Sequence, residues 1–150
     1  MAYSTADNIA KWFLAKNKSE EAVGADMISN LKLQKLLYYA QGCTLALFNK
    51  PLFDDEIYAW QHGPVVPTIY HKYKQFHANG IAYEGENTIE HLIPDIEKVL
   101  EDVYEEFGQF SAWKLRNMAH EETPWKTTEI GEEIPVEIIK KYFIENYIEQ

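Results

Sequence analysis

The sequence predicts a mainly α-helical protein: a single compact domain over residues 1–150, with about six helices and room for one small β-hairpin. Three observations carry this prediction. The chain has 150 residues, which is the size of one domain, and no linker-like stretch divides it. Hydrophobic residues make up 46% of the chain, which is enough to build a core. In most segments the apolar residues recur at the three- and four-residue intervals of a helix face.

The first two helices are each predicted from a cap and an apolar stripe. Ser4 or Thr5 can cap the first helix, which ends over residues 17–20. Ser29 can cap the second helix, whose stripe is the strongest periodic signal in the chain and predicts a central position in the fold. Gly42 lies inside this helix at a cost of about 1 kcal/mol relative to alanine, which a close crossing by the backbone of another element would offset. The polar residues that lie off the stripe are Lys32, Gln34, Lys35 and Gln41.

A sharp corner is predicted near the middle of the chain. Residues 56–60 alternate between apolar and polar, which is typical of a short, half-buried strand. The Gly63-Pro64 break follows, and Pro67 stands where a third helix can begin and run to about Phe76. Junctions of this kind hold side chains on a fixed scaffold, and functional residues often collect there.

The later elements are predicted from prolines, glycines and caps. Two runs of three residues within residues 81–90 are consistent with the small hairpin. Pro94 opens a fourth helix that ends at Gly108, Ser111 caps a fifth, and Pro135 opens the last helix after a break at Pro124-Trp125. The fifth helix carries the apolar residues Trp113, Leu115, Met118 and Ala119.

The composition argues against several classes of function. The formal net charge of −10 repels phosphate backbones and therefore argues against nucleic acid as a partner. The same charge favours solubility or a basic protein partner. The single cysteine, Cys43, excludes an internal disulfide, and its apolar surroundings predict a buried, inert thiol. No signal-peptide pattern is present, and no segment approaches the ~20 apolar residues of a membrane span, so we expect a cytoplasmic protein without a membrane partner.

Two histidines are candidates for a functional role. His62 and His120 each precede a proline-containing break, and each has a tryptophan nearby, Trp60 and Trp125. Three interpretations stay open: hydrogen bonds that hold the turns, a binding role, or, together with Glu121, a general base or metal site. The tryptophans are likewise either core residues or half-exposed interface anchors. The other histidines, His71, His77 and His91, are predicted to lie on the solvated surface.

Three separated segments resemble the signatures of one protein family. They are residues 32–42 (KLQKLLYYAQG), residues 59–70 (AWQHGPVVPTIY) and residues 111–125 (SAWKLRNMAHEETPW). In order and spacing they resemble the SocA-like, or Panacea, antitoxin family, which also includes phage-associated GepA-like proteins. One departure is Ala119, which stands where the third segment of the family usually carries a threonine.

This resemblance implies a mainly α-helical fold and a protein-binding function without turnover. Members of the family neutralise a toxin encoded beside them by direct contact, and one mode is that of a proteolytic adaptor that delivers the toxin to the ClpXP protease. The implied partner is therefore a cognate toxin, and no enzyme activity, catalytic residue, metal or cofactor is predicted. The predicted pocket or partner-binding residues are Trp60, His62, Gly63, Pro64, Tyr70, His120, Glu121, Pro124 and Trp125.

Three alternatives stay open. A small metal-assisted or acid–base enzyme would use His62, His120 and Glu121, which must then converge in space. A DNA-binding regulator would need a basic stripe, and the nearest candidate is the pair Lys32 and Lys35 on the second helix. A phage or prophage accessory protein of another role would share the resemblance without a toxin partner.

Overall fold

The computed structural model describes residues 2–21, 26–85 and 89–148, and these form a mainly α-helical structure with one two-stranded antiparallel hairpin among them. The predicted fold class is therefore confirmed. The α-helices are α1 (Ala6–Glu20), α2 (Asn30–Phe48), α3 (Pro67–Tyr73), α4 (Pro94–Phe107), α5 (Ala112–His120), α6 (Thr123–Lys126) and α7 (Val136–Asn146). The strands are β1 (Tyr58–Trp60) and β2 (Gly63–Val65), and a 3-10 turn over Lys74–Phe76 follows α3.

Three helix starts depend on side-chain caps that the sequence predicts. The hydroxyl of Thr5 accepts a hydrogen bond from the Asn8 amide at 3.1 Å, and Ser29 and Ser111 cap α2 and α5 in the same way. Each hydroxyl satisfies one of the amides that a helix N-terminus leaves without a partner. These predictions are confirmed because a cap is a local interaction between residues three apart.

Helix α2 lies at the centre of the molecule and packs against α1, α3, α4, α5, α7 and β2. Its central position agrees with the prediction, but the polar residues off its apolar stripe are mostly buried as well. Gln41 links its amide to the Phe53 carbonyl and the Leu52 amide, both at 2.8 Å. Gln34 accepts from the Val66 amide at 2.8 Å. Neighbouring segments therefore supply backbone partners for both buried glutamines.

The glycine inside α2 makes room for an aromatic ring. A Cβ atom at Gly42 would overlap the ring of Phe143, which comes from α7. The predicted close crossing is therefore present, and the crossing group is a side chain, whereas the sequence indicated backbone. Contact with the buried ring offsets the helix-propensity cost of glycine at this position.

The hairpin lies earlier in the chain than the runs within residues 81–90 suggested. Tyr58 pairs with Val65, and Trp60 pairs with Gly63, so the predicted break is itself a strand. Residues 81–85 form no strand, and residues 86–88 lie outside the described part of the chain. The Ile81 amide instead donates to the Ile28 carbonyl at 2.8 Å. The first of the two predicted runs therefore has its backbone partner in the segment before α2.

Two further differences concern α6 and the fifth helix. Thr123–Lys126 forms a single helical turn with proline in its first positions, where the sequence predicted only a break. Of the apolar residues that the sequence places on the fifth helix, Trp113 is 54% exposed, whereas Leu115 and Ala119 are fully buried. Within the described residues, no helix is both long and apolar enough to cross a membrane.

Candidate functional site

The corner predicted from the sequence is formed by the hairpin β1–β2 together with α5 and α6. The Trp125 indole nitrogen donates to the Trp60 carbonyl at 2.7 Å, which ties α6 to β1. The His120 ring stacks on Trp125 with centroids 4.0 Å apart and an angle of 16° between the planes. His120 Nε2 is buried without a hydrogen-bond partner in the described structure, and desolvation lowers the pKa of this imidazole. This half of the corner is a fixed aromatic support.

A buried lysine lies beneath the hairpin. Lys35 from α2 is fully buried, and its Nζ donates to the Pro64 carbonyl at 3.0 Å. Gly63 has φ +106°, and a Cβ atom there would lie 2.7 Å from Lys35 Cε, so both its backbone angle and its neighbour require glycine. Burial, with a smaller contribution from the positive charge of Arg116, lowers the pKa of Lys35 to about 7. The Gly-Pro pair therefore closes over an ammonium group that has little contact with water.

A buried carboxylate at this corner belongs to Glu122. Its oxygens accept hydrogen bonds from the Tyr38 hydroxyl at 2.8 Å, the Tyr39 hydroxyl at 3.2 Å, and the Tyr147 hydroxyl. Burial raises the pKa of Glu122, and the three hydroxyl donors oppose that rise. Because the tyrosines come from α2 and from the end of α7, this carboxylate fastens the C-terminal helix to the centre of the fold.

The residue predicted from the sequence, Glu121, is exposed, whereas the adjacent Glu122 is buried. The Glu121 carboxylate lies 3.9 Å from the Lys126 ammonium. In the ranges that the structure describes, no group of three or more His, Cys, Asp or Glu side chains is placed to hold a metal ion. His62, His120 and Glu121 therefore do not form the metal site that a metal-assisted enzyme would require.

An exposed cluster covers the outer side of the corner. The Arg116 guanidinium lies 4.3 Å from the centroid of the Trp113 ring, and its Nε donates to His62 Nδ1 at 3.2 Å. The rings of His62 and Trp113 are 5.8 Å apart. We call these three residues the Trp113 surface. Contact with a cation holds the tryptophan in one position although about half of it faces solvent.

Neither Trp113 nor Arg116 was among the predicted site residues. A signal for Trp113 was present, because it lies two positions before Leu115, and residues two apart do not share a helix face. Leu115 is fully buried, so Trp113 must point elsewhere. The pairing of Arg116 with His62 joins residues 54 positions apart, and only the fold shows it.

A pocket of about 440 Å³ opens on the inner side of the hairpin, next to α2 and α3. Four of the predicted site residues line it: Trp60, His62, Gly63 and Tyr70. The rings of Trp60 and Tyr70 meet edge to face with centroids 5.1 Å apart. The remaining predicted residues, Pro64, His120, Glu121, Pro124 and Trp125, are not among the residues that line this pocket.

The basic residues of α2 are engaged inside the protein. Lys32 donates to the Gly108 carbonyl at 2.6 Å, and Lys35 is buried under the hairpin. The pair that a DNA-binding interpretation would need is therefore directed at backbone carbonyls. Cys43 is half-buried, and desolvation raises the pKa of its thiol to about 12, which agrees with an inert side chain.

Together these features define a small, mainly helical domain with a concave pocket and an exposed aromatic–cation cluster at one corner. The family model described as "Antitoxin SocA-like, Panacea domain" matches residues 33–126, which include the aromatic–cation cluster and most of the residues that line the pocket. The chain is also 36% identical over 121 residues to the protein named Antitoxin SocA from Caulobacter vibrioides (strain NA1000 / CB15N). The protein therefore belongs to the SocA-like (Panacea) antitoxin family, as its three segments indicated.

The alignment with Antitoxin SocA covers only part of each of the two chains. The alignment covers 71% of this chain and 63% of Antitoxin SocA, so the chain spans less than two thirds of that relative. No solved structure is significantly similar to the chain.

Proposed function

We propose that this protein is an antitoxin that neutralises a cognate toxin by direct, stoichiometric contact, and that the toxin docks on the Trp113 surface. The observation that carries the proposal is the exposed stack of Trp113 and Arg116. Tryptophan and arginine are enriched among the few residues that supply most of the binding energy at protein interfaces. Membership in an antitoxin family supports the same class of function.

The Trp113 surface is also held rigidly, which favours binding. Arg116 bridges α5 to the hairpin through His62, and the hairpin is fixed in turn by the hydrogen bond from Trp125 to the Trp60 carbonyl. A side chain that is already ordered loses less conformational entropy when a partner covers it. The free protein therefore presents an anchor residue close to the conformation that a partner needs.

Replacing Trp113 with alanine tests the proposal. We expect Trp113→Ala to weaken binding to the toxin encoded by the neighbouring reading frame by about 30-fold or more, the loss typical of an interface anchor. Arg116→Ala should weaken binding in the same direction because the stack and the bridge to His62 are both lost. The measurement is the dissociation constant of the purified pair, with growth of cells that express both proteins as a second readout.

Ile130→Ala is the matched control, because Ile130 is a large hydrophobic residue that is 61% exposed and lies outside the Trp113 surface. Its toxin affinity should remain that of the unmodified protein. Wild-type affinity in Trp113→Ala, with the variant folded, would reject this docking site. Toxin abundance in the same cells separates two modes: it stays constant if contact alone neutralises the toxin, and it falls if the toxin is delivered to a protease such as ClpXP.

A further inference from the structure

The pocket on the inner side of the hairpin, which we call the Trp60 pocket, has the size of a small-molecule site. Its volume is about 440 Å³, within the range of roughly 300–1,000 Å³ that is typical of ligand pockets. It lies beside the Trp113 surface, and His62 is the residue that they share. The chemistry of its lining indicates what it could hold.

The lining of the Trp60 pocket is basic although the protein is acidic. Among the described residues that line it, none is Asp or Glu, whereas the chain has 24 acidic residues and a formal net charge of −10. The side chains that do line it include Lys35, Lys74, His62 and His77. Lys74 has no ion-pair partner in the described ranges, so its charge is available to a ligand.

The other large cavities differ in this respect. The groove between α2 and α4 has Asp102 and Glu106 in its wall, and the cavity beside Lys32 has Glu20 and Asp26. The absence of carboxylates is therefore a property of the Trp60 pocket and does not extend to these neighbours. A concave site without negative charge on a negative protein favours an anion over a cation.

The Trp60 pocket also offers flat aromatic surface. Trp60 is half-buried, packs edge to face with Tyr70 at 5.1 Å, and meets His71 at 6.2 Å. Both Trp60 and Tyr70 line the pocket. Rigid rings of this kind bind planar groups by stacking or edge contacts. A ligand that fills the site would therefore carry a planar apolar part as well as a charge.

Backbone strain is present at the pocket wall. His77 has φ +52° and ψ −127°, a conformation that residues with a Cβ rarely adopt. It follows the 3-10 turn, where its amide donates to the Lys74 carbonyl at 3.0 Å and fixes the two residues side by side. Strain of this type costs on the order of 1–3 kcal/mol and collects at ligand sites. It supports a binding role for the wall that contains Lys74 and His77.

From these observations we infer that the Trp60 pocket binds a small planar anion, a molecule in which an aromatic ring carries a phosphate or carboxylate group. The ring would lie against Trp60 and Tyr70, and the anionic group would lie near Lys74 and His77. Lys35 lies behind the wall, where its Nζ donates a hydrogen bond to the Pro64 carbonyl. This inference does not depend on the identity of the toxin.

Phenyl phosphate is the probe, and phenylacetate is the carboxylate arm of the same test. Titration into the full-length protein, followed by chemical-shift changes in ¹H–¹⁵N spectra, should show saturable binding with a dissociation constant of roughly 1 mM or tighter. The Trp60 indole signal should shift. Inorganic phosphate, which lacks the ring, and benzyl alcohol, which lacks the charge, should each bind at least about fivefold more weakly. Added salt should weaken binding of the charged probes.

Lys74→Glu should raise the dissociation constant of the charged probe by at least about fivefold, because it reverses a charge at the pocket wall. Lys141→Glu on the exposed face of α7 is the matched control and should leave binding unchanged. The inference is overturned if neither charged probe binds saturably to the folded protein, or if inorganic phosphate binds as tightly as phenyl phosphate. It is also overturned if added salt does not weaken binding in the wild-type protein, a result that does not depend on how well the Lys74 variant folds.

Discussion

Replacing Glu122 with alanine is expected to lower the free energy of unfolding by about 4 kcal/mol at neutral pH. The change removes the acceptor for the hydroxyls of Tyr38, Tyr39 and Tyr147, and the first two of these hydroxyls are buried. Hydrogen bonds to a charged group contribute about 1.5–3 kcal/mol each, and buried donors without a partner add a desolvation cost. Denaturant unfolding measures the effect, and the corresponding decrease in Tm is about 10 °C for a domain of this size.

Glu121→Ala is the matched control for this prediction, because it removes the same side chain one position earlier. Glu121 is exposed, and its only contact in the described ion pairs is a 3.9 Å approach to Lys126. We expect a change of at most about 0.5 kcal/mol. The loss of unfolding free energy in Glu122→Gln should lie between those of the two alanine variants, since the glutamine amide keeps one acceptor oxygen. Equal, small effects in both alanine variants would contradict the assignment of Glu122 as the fastening point of α7.

Replacing Lys35 with methionine is expected to change how stability depends on pH. The pKa of Lys35 is about 7 in the folded protein and near 10.5 when the chain is unfolded, so between these values the unfolded state binds more protons. Stability then rises with pH, with a slope that approaches about 1.4 kcal/mol per pH unit. The difference in unfolding free energy, wild type minus Lys35→Met, should therefore increase by about 2 kcal/mol from pH 7 to pH 9.

Denaturant unfolding of both proteins over that pH range provides the measurement, and other titrating groups cancel to first order in the difference. Methionine has a length similar to that of lysine and carries no charge, so it removes the titrating group without opening a large cavity. Lys141→Met, on the exposed face of α7, should give a difference that does not vary with pH. If the difference in unfolding free energy between wild type and Lys35→Met did not vary with pH, the Lys35 ammonium would be well solvated, contrary to its burial under the hairpin.

The parts of the fold that the sequence predicted are those set by neighbouring residues. The caps at Thr5, Ser29 and Ser111 and the helix start at Pro94 each depend on residues within one turn. The pairing of Tyr58 with Val65 was not predicted, although the strand itself was, because the Gly-Pro pair was interpreted only as a break. Its formation depends on contacts with α2 that local pattern does not contain.

At the candidate site, too, features set by neighbouring residues were predicted, and contacts between distant residues were not. The corner around Trp60 and His62 was predicted, since glycine and proline mark it in the sequence. The buried partners were missed, because Lys35 meets Pro64 29 residues later, and Glu122 meets Tyr38 84 residues earlier. A charged residue in a helix is normally assigned to the surface, and only tertiary structure shows which ones are enclosed.

We propose that the corner is the face through which this protein contacts its toxin. Hydrogen–deuterium exchange of the protein, with and without the product of the neighbouring toxin gene, tests that claim most directly. We predict slower exchange in residues 112–117 and in the hairpin turn at residues 61–62 when the toxin is bound. Slower exchange confined to α4 and α7, with the amides of the corner unchanged, would contradict it.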